Sequence, residues 1–456
     1  MTSGRSVSVL AHGVGGSTDL PVPLSFALIG AAWALTATFG IVALAWKTPR
    51  FGPDKPGRDL PRWVTRTVDS SFVRWGAGLT ALLFAVWVVI AAVFGPDGSD
   101  NALPGVFYVL LWVGLVAVSV LTGPVWRVIS PLRTVWRLLG LTRRETSDRP
   151  VVRTYPPSWG YWPAAFGLLA FVWLELASPD AGSMVAITSW LLAYTAAMAL
   201  GAWVFGSRWF ARADPFEVYS MAVSRLAPFR RSPVTGRIAT VNPMNHLTTM
   251  PVRPGVLAVL AVLLGSTAFD SFSQSPAFRN FVDQRAASLP VLSQAWAASL
   301  LRTAGLVVFV VVVGVTFWAA ARATGGVTAQ RRRKLPGELA HSLIPIVVGY
   351  VFAHYLSYLV ERGQETVVRL ADPLGRGWHL FGLDRADVQY VLSQHPSVLW
   401  SIKVSCVVIG HIVAVVAAHD RALHLLPRRH QISGQVAMML TMVGYTFMGL
   451  YLLFGG

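Results

Sequence analysis

Ten long apolar stretches dominate the chain: Leu24–Trp46, Trp75–Phe94, Pro104–Gly123, Gly160–Ala177, Met184–Phe205, Pro254–Asp270, Ser299–Ala321, Ala340–Val360, Val398–Ala418 and Gln435–Phe454. Most approach the roughly 20 residues that a helix needs to cross a hydrocarbon core of about 30 Å. The polar gaps between them differ in charge. Lys and Arg number 7 in 47–74, 7 in 124–159, 7 in 206–253, 5 in 322–339 and 3 in 419–434. The intervening gaps and the N-terminal tail share 7, four of them in 361–397, where five acidic residues outnumber them. Positive residues are retained on the cytoplasmic side, so the alternation predicts an all-α polytopic membrane helix bundle of about ten transmembrane helices with both termini extracytoplasmic.

The spans pair as hairpins with short outer turns such as FGPDGSDNALPG (Phe94 to Gly105) and SPDAG (Ser178 to Gly182). Residues 1–23 read as an exported tail and 24–456 as a single transmembrane domain. Asp214-Pro215-Phe216-Glu217 has the residue order of a helix start: an N-cap, a proline at the first helical position and an acid at the third. It predicts a short amphipathic helix through Tyr219, Met221, Val223 and Leu226 at the membrane surface. Leu132–Leu141 has similar interfacial character, with Arg133 and Arg137 on one face. Two outer segments, 271–298 and 361–397, are long enough to cover a site, and the second should contain a helix begun by Asp384 with Asp387 at its third position.

Composition agrees with this architecture. Of 456 residues, 54% are hydrophobic and 13% charged, with a mean hydropathy of +0.54, which a set of soluble domains would not show. The formal charge of +17 lies mostly in the cytoplasmic gaps, where orientation and anionic headgroups account for it without nucleic acid. The single cysteine, Cys406, excludes an intramolecular disulfide and thiolate metal clusters. A cell (plasma) membrane location follows as the expectation.

Charge at membrane depth is costly and therefore informative. Glu175, Asp270, His341, His354, Lys403, His411 and His419 fall within or at the ends of spans. At about 1.5 Å per residue, His354 stands roughly 20 Å from the inner face and Lys403 about 8 Å below the outer one. Glu175 and Asp270 end their spans on the outer side. Four ionisable groups from four helices thus share the outer leaflet, while His341 and His419 read as interfacial residues of the inner boundary, with His411 between. Tyr350, His354, Ser357, Tyr358 and Glu361 form a polar stripe at spacings of three and four, a stripe that requires a polar neighbour or water.

The tail adds His12 and Asp19 in AHGVGGSTDLPVP (Ala11 to Pro23), where three glycines permit tight turns and two prolines keep the descent extended. Imidazole with carboxylate suits a divalent transition metal such as zinc, copper or iron. His12, His354 and Asp270 are the candidate metal ligands. Glu175 is a further carboxylate for the centre, Asp19 an orienting group and Lys403 a cation for developing negative charge. The same residues can be read otherwise. Glu175 and Asp270 can cap or meet water at span ends, His354 can be a satisfied core histidine, and Lys403 can snorkel outward.

The strings AHGVGGSTDLPVP, GSTAFDSFS around Asp270, HSLIPIVVGYVFAHYLSYLVERGQ (His341 to Gln364), ADPLGRGW (Ala371 to Trp378) and GHIVAVVAAHDRAL (Gly410 to Leu423) resemble the multi-pass membrane family known as fenitrothion hydrolase, over nearly the whole chain. The resemblance implies hydrolysis of an organophosphorus triester at the membrane, and the residues suggest that a metal assists it. It also implies a cleavable signal ending just before the motif's His, whereas residues 1–11 here are too short to serve as one. No HExxH, GxSxG or phosphate-binding glycine loop accompanies it. A triester would be an apolar small-molecule substrate reaching the site from lipid. Competing expectations are a metal-ion or proton-coupled transporter using outer His354 and Asp270, middle His411 and inner His341 and His419 as a ladder, a haem protein with His354 and His411 as axial ligands, and a scaffold or assembly factor whose polar groups only specify packing; the sequence leaves the need for a partner subunit open.

Overall fold

A computed structural model of the protein describes residues 23–141, 152–288, 293–378, 380–385 and 387–454. It is a helix bundle built from α1 (Leu24–Ala45), α2 (Arg62–Asp69), α3 (Ser71–Phe94), α4 (Ala102–Thr122), α5 (Pro131–Leu138), α6 (Trp162–Leu176), α7 (Met184–Phe205), α8 (Pro215–Val223), α9 (Val256–Ser273), α10 (Gln294–Arg322), α11 (Ile344–Ser357, the middle of a helical run Ala329–Ala371), α12 (Pro396–Leu425) and α13 (Val436–Phe454). Among the described residues nine helical runs are long and apolar enough to cross a membrane. The stretch expected at Gly160–Ala177 becomes α6, whose 15 residues reach only about 22 Å. Its Ala164, Leu168, Phe171 and Val172 are buried against neighbouring helices, while Trp162 and Phe166 lie on an exposed face.

The basic gaps meet on one face. β1 (Arg58–Asp59), β2 (Phe229–Arg231) and β3 (Ile238–Thr240) form an antiparallel sheet in the order β1-β3-β2, joining gaps 47–74 and 206–253. Asp420 accepts from the backbone N–H of Arg50 (2.6 Å) and Phe51 (3.1 Å), and Arg133 of gap 124–159 pairs with Glu217 of gap 206–253. At the other end Phe454 packs on Trp400 with ring centroids 3.9 Å apart, and Trp87 donates to the Leu370 carbonyl. The acid-rich gap 361–397 is on that second face.

Two expectations are corrected here. The helix started by Asp214 forms as expected, with Asp214 Oδ1 accepting from the N–H of Phe216 (2.9 Å) and Glu217 (3.3 Å). It does not lie at the membrane surface. Almost every residue of α8 is buried, Phe216 meeting Phe171 edge to face and Tyr219 packing on Trp112, so α8 dips into the bundle. Apolar residues cover most of its circumference, and its buried polar ones are paired, Glu217 with Arg133 and Ser220 with Ser119. Second, no α-helix begins at Asp384 among the described residues. A 3-10 turn, Leu380–Arg385, precedes extended chain that is pinned down: Glu361 accepts from Ser393 N–H (2.8 Å) and Oγ (2.6 Å), and Gln364 pairs with the Gln389 backbone.

His246, on the basic face, hydrogen-bonds the Ala227 carbonyl through Nδ1 (3.0 Å), and its burial pushes it down to about 4. The unfolded chain then binds more protons between about 6.5 and 4. Stability is full above about 6.5 and lost as pH falls toward 4. Thermal melts from pH 7.5 to 4.5 should show a smaller loss for His246→Gln than for the parent.

The closest packing is between α11 and α12. A Cβ on Gly349 would stand 2.5 Å from the Cys406 carbonyl oxygen, and one on Gly410 would stand 2.7 Å from that of Pro345. Small residues let two backbones touch where lipid gives no hydrophobic drive to associate. Gly410→Val should therefore push the pair apart and lower stability by about 1–3 kcal/mol, read as a fall in the detergent melting temperature.

Candidate functional site

The carboxylate and imidazole singled out at membrane depth meet at the centre of the bundle. α9 is the most enclosed span, 72% of its apolar window being buried against 11% for α7. Asp270 sits in the last turn but one of α9, fully buried, and His354 faces it from α11 at 3% exposure. His354 Nε2 and Asp270 Oδ2 are 2.8 Å apart, and the Tyr355 hydroxyl donates to the same oxygen at 2.8 Å. Ser271 Oγ stands 3.5 Å from His354 Nδ1 and 3.5 Å from the Thr267 carbonyl oxygen.

Nε2 of His354 thus faces the carboxylate, and its Nδ1 faces the Ser271 hydroxyl. A buried carboxylate is tolerated only with donors around it, and His354 and Tyr355 supply two. From α8, the Tyr219 hydroxyl is buried without a hydrogen-bond partner and lies within electrostatic reach of Tyr355. The dip of α8 into the bundle thus adds a second aromatic hydroxyl to the neighbourhood.

Glu175, in the last turn of α6, is half-buried and within electrostatic reach of Tyr108, Tyr355 and Tyr358. Lys403 is buried on α12 at a similar level. α12 meets α11 through Pro345 and Gly349, however, about half a helical turn away from His354, so this packing brings Lys403 to a different flank of α11. His12 and Asp19 lie outside the described residues.

The inner histidines are core residues rather than interfacial ones. His341 and His419 are 4% and 2% exposed. His419 lies between the Trp46 carbonyl and Gln435 Oε1, each 3.0 Å away, because the α1 and α13 ends close over it. His341 and His411 each use Nδ1 on a backbone carbonyl of their own helical run, and their Nε2 atoms have no hydrogen-bond partner.

Tyr355, Ser271 and Tyr219 escaped the sequence reading. The first two are chain neighbours of His354 and Asp270, and adjacency was the only signal available. Tyr219 gave none, because its helix was expected at the surface.

Zinc, iron or copper would accept this nitrogen and oxygen pair. Among the described residues, however, no three His, Cys, Asp or Glu side chains converge. His354 and Asp270 are an incomplete donor set, and His12 is the residue that the sequence offers to complete it.

The chain matches no protein-family model, no curated protein and no solved structure, so the function rests on this geometry.

Proposed function

We propose that this multi-pass membrane protein is a hydrolase of lipid-soluble organophosphorus triesters, acting in a plasma membrane through an outward-facing centre at Asp270 and His354. The observation that carries the reading is the buried Asp270–His354 contact, which leaves a basic nitrogen facing a hydroxyl. Asp270 fixes the tautomer of His354 and stabilises the imidazolium when it forms. His354 Nδ1 takes a proton from a water that attacks phosphorus; the bond from phosphorus to the leaving oxygen breaks, and the proton passes from His354 to that oxygen. Tyr355 holds the carboxylate in place, and Ser271 hydrogen-bonds the attacking water beside Nδ1. A divalent transition metal held by Asp270, His12 and Nδ1 of His354 would make that nitrogen a ligand instead of the base, and would itself supply the Lewis-acid chemistry and lower the pKa of water.

The experiment is turnover of a chromogenic nitrophenyl phosphotriester by detergent-purified protein, with elemental analysis of the same sample. Parent protein should hydrolyse the ester, and His354→Ala should abolish this; equal rates in both would sink the reading. Bound metal in the parent that disappears in His354→Ala and His12→Ala would support the three-donor set.

The orphaned Nε2 atoms of His341 and His411 favour one other reading, proton-coupled transport along a ladder of buried histidines. The ring of His411 stands edge-on to Tyr350, centroids 5.8 Å apart, one helical turn below His354. Replacing His341 and His411 by Asn separates the two, since only transport needs them.

A further inference from the structure

Between α9, α10, α11 and α13, below the level of Ser271 and His354, the bundle contains a cavity of about 210 Å³. Leu264 and Ala268 of α9, Val308 and Val312 of α10, Tyr350 of α11 and Met448 of α13 form most of its wall. The wall is apolar, although two tyrosines contribute to it. Tyr350 donates its hydroxyl to the Tyr445 carbonyl (3.2 Å) and Tyr445 donates to that of Val313 (2.8 Å), which leaves their rings toward the space. Tyr350 can lie this way because its hydroxyl takes the place that a Cβ on Gly449 would fill.

Register connects the cavity to the centre. Leu264, Ala268 and Ser271 follow one another at spacings of four and three along one face of α9, and Tyr350 and His354 are four apart on α11. Ser271 and His354 therefore stand one helical turn, about 5.4 Å, above the residues that α9 and α11 contribute to the cavity wall. On the opposite side Val308, Val312 and Met448 are 56%, 50% and 53% exposed, and in membrane spans such residues face the bilayer. The cavity thus has lipid on one side and the candidate base on the other. Apolar cavities of about 150 Å³ stay dry and take up benzene-sized molecules, so this one can hold one substituted ring.

We infer that this cavity is the binding pocket for a single ring-sized apolar group of a lipid-soluble substrate, which reaches it sideways from the bilayer between α10 and α13 and presents its polar end to Ser271 and His354. The inference rests on the proposed hydrolase for what happens to that polar end, but occupancy of the pocket does not depend on catalysis. It deepens the proposal by naming the part of the substrate that is recognised: size and apolarity of one substituent, with no charge or hydrogen bond required there.

The test is photolabelling of the full chain in lipid nanodiscs with an uncharged phenyl diazirine, followed by peptide mapping. Saturable adducts at Met448, Val312 and Tyr445, competed by an apolar phosphotriester, are expected. Ala268→Trp should remove them and raise KM for the triester at least tenfold with kcat nearly unchanged. Val312→Phe, on the lipid-facing rim where a larger side chain folds readily, should do the same in weaker form. Asp270→Asn should keep the adducts. Labelling spread evenly over lipid-facing residues such as Phe26 and Trp33, or unaffected by both filling substitutions, overturns the pocket. Saturable labelling in a parent protein without triester turnover upholds the pocket and overturns the hydrolase, so the two failures are distinguishable.

Discussion

Asp270→Asn is expected to lower phosphotriester turnover by about 10²–10⁴-fold, the range that a positioned acid–base group contributes. Asparagine has nearly the shape of aspartate and can still accept from Tyr355 through its carbonyl oxygen. It can also accept the Nε2 hydrogen of His354, 2.8 Å away in the parent. What it cannot do is offset the positive charge that arrives when Nδ1 takes a proton. The loss should therefore fall on kcat more than on KM, while the fully buried site gains by losing a charge that is costly to bury. The melting temperature of Asp270→Asn should stay level or rise. If the carboxylate only pins α9 to α11, the opposite pattern appears: a clear fall in melting temperature with turnover lost in proportion to unfolding. Tyr355→Phe removes one donor to the same oxygen and leaves the other, so its effect on kcat should be smaller than that of Asp270→Asn.

The second large effect concerns the fold around the site. Arg133 on α5 and Glu217 on α8 form a two-pronged pair, Nε to Oε2 at 2.5 Å and Nη2 to Oε1 at 2.8 Å, with side chains 8% and 7% exposed. Removing one partner of such a pair strands a buried charge, so Arg133→Leu should destabilise the protein by about 3–5 kcal/mol. Arg133→Leu with Glu217→Leu removes both charges and should recover most of the loss, measured by thermal unfolding in detergent. A single variant that melts within a degree of the parent would show that water reaches Glu217. The pair anchors α8, and α8 carries Tyr219, so the single variant should also disturb the neighbourhood of Tyr355.

Much of this was readable along the chain, for identifiable reasons. Hydrocarbon cannot satisfy backbone polar groups, so long apolar runs become helices whatever their neighbours. The short reach of α6 lies in its ends, where Gly160 takes a positive φ before it and Ser178-Pro179 follow it, while hydropathy along Gly160–Ala177 is that of a full span. The depth argument brought Asp270 and His354 to one level because helical rise is fixed at about 1.5 Å per residue. It placed Lys403 at that level as well, since depth carries no information about azimuth. Which flank of α11 a residue meets depends on where Gly349 and Gly410 let α12 approach. The same limit applies to α8, whose N-cap Asp214 was legible from local backbone chemistry while its burial was not.

Apolar run length and charge alternation along the chain are enough to make this a polytopic helical membrane protein, to say which gaps share a face, and to pick out the few titratable residues deep enough to need partners. Those properties follow from transfer free energy and helical rise, which act locally. Tertiary structure alone decided that His354 would choose Asp270, that Tyr355 and Ser271 would complete the cluster, and that an apolar cavity would open beneath it. Partner choice depends on the rotation and crossing of helices more than eighty residues apart in the chain, and these are set by close packing among many side chains at once.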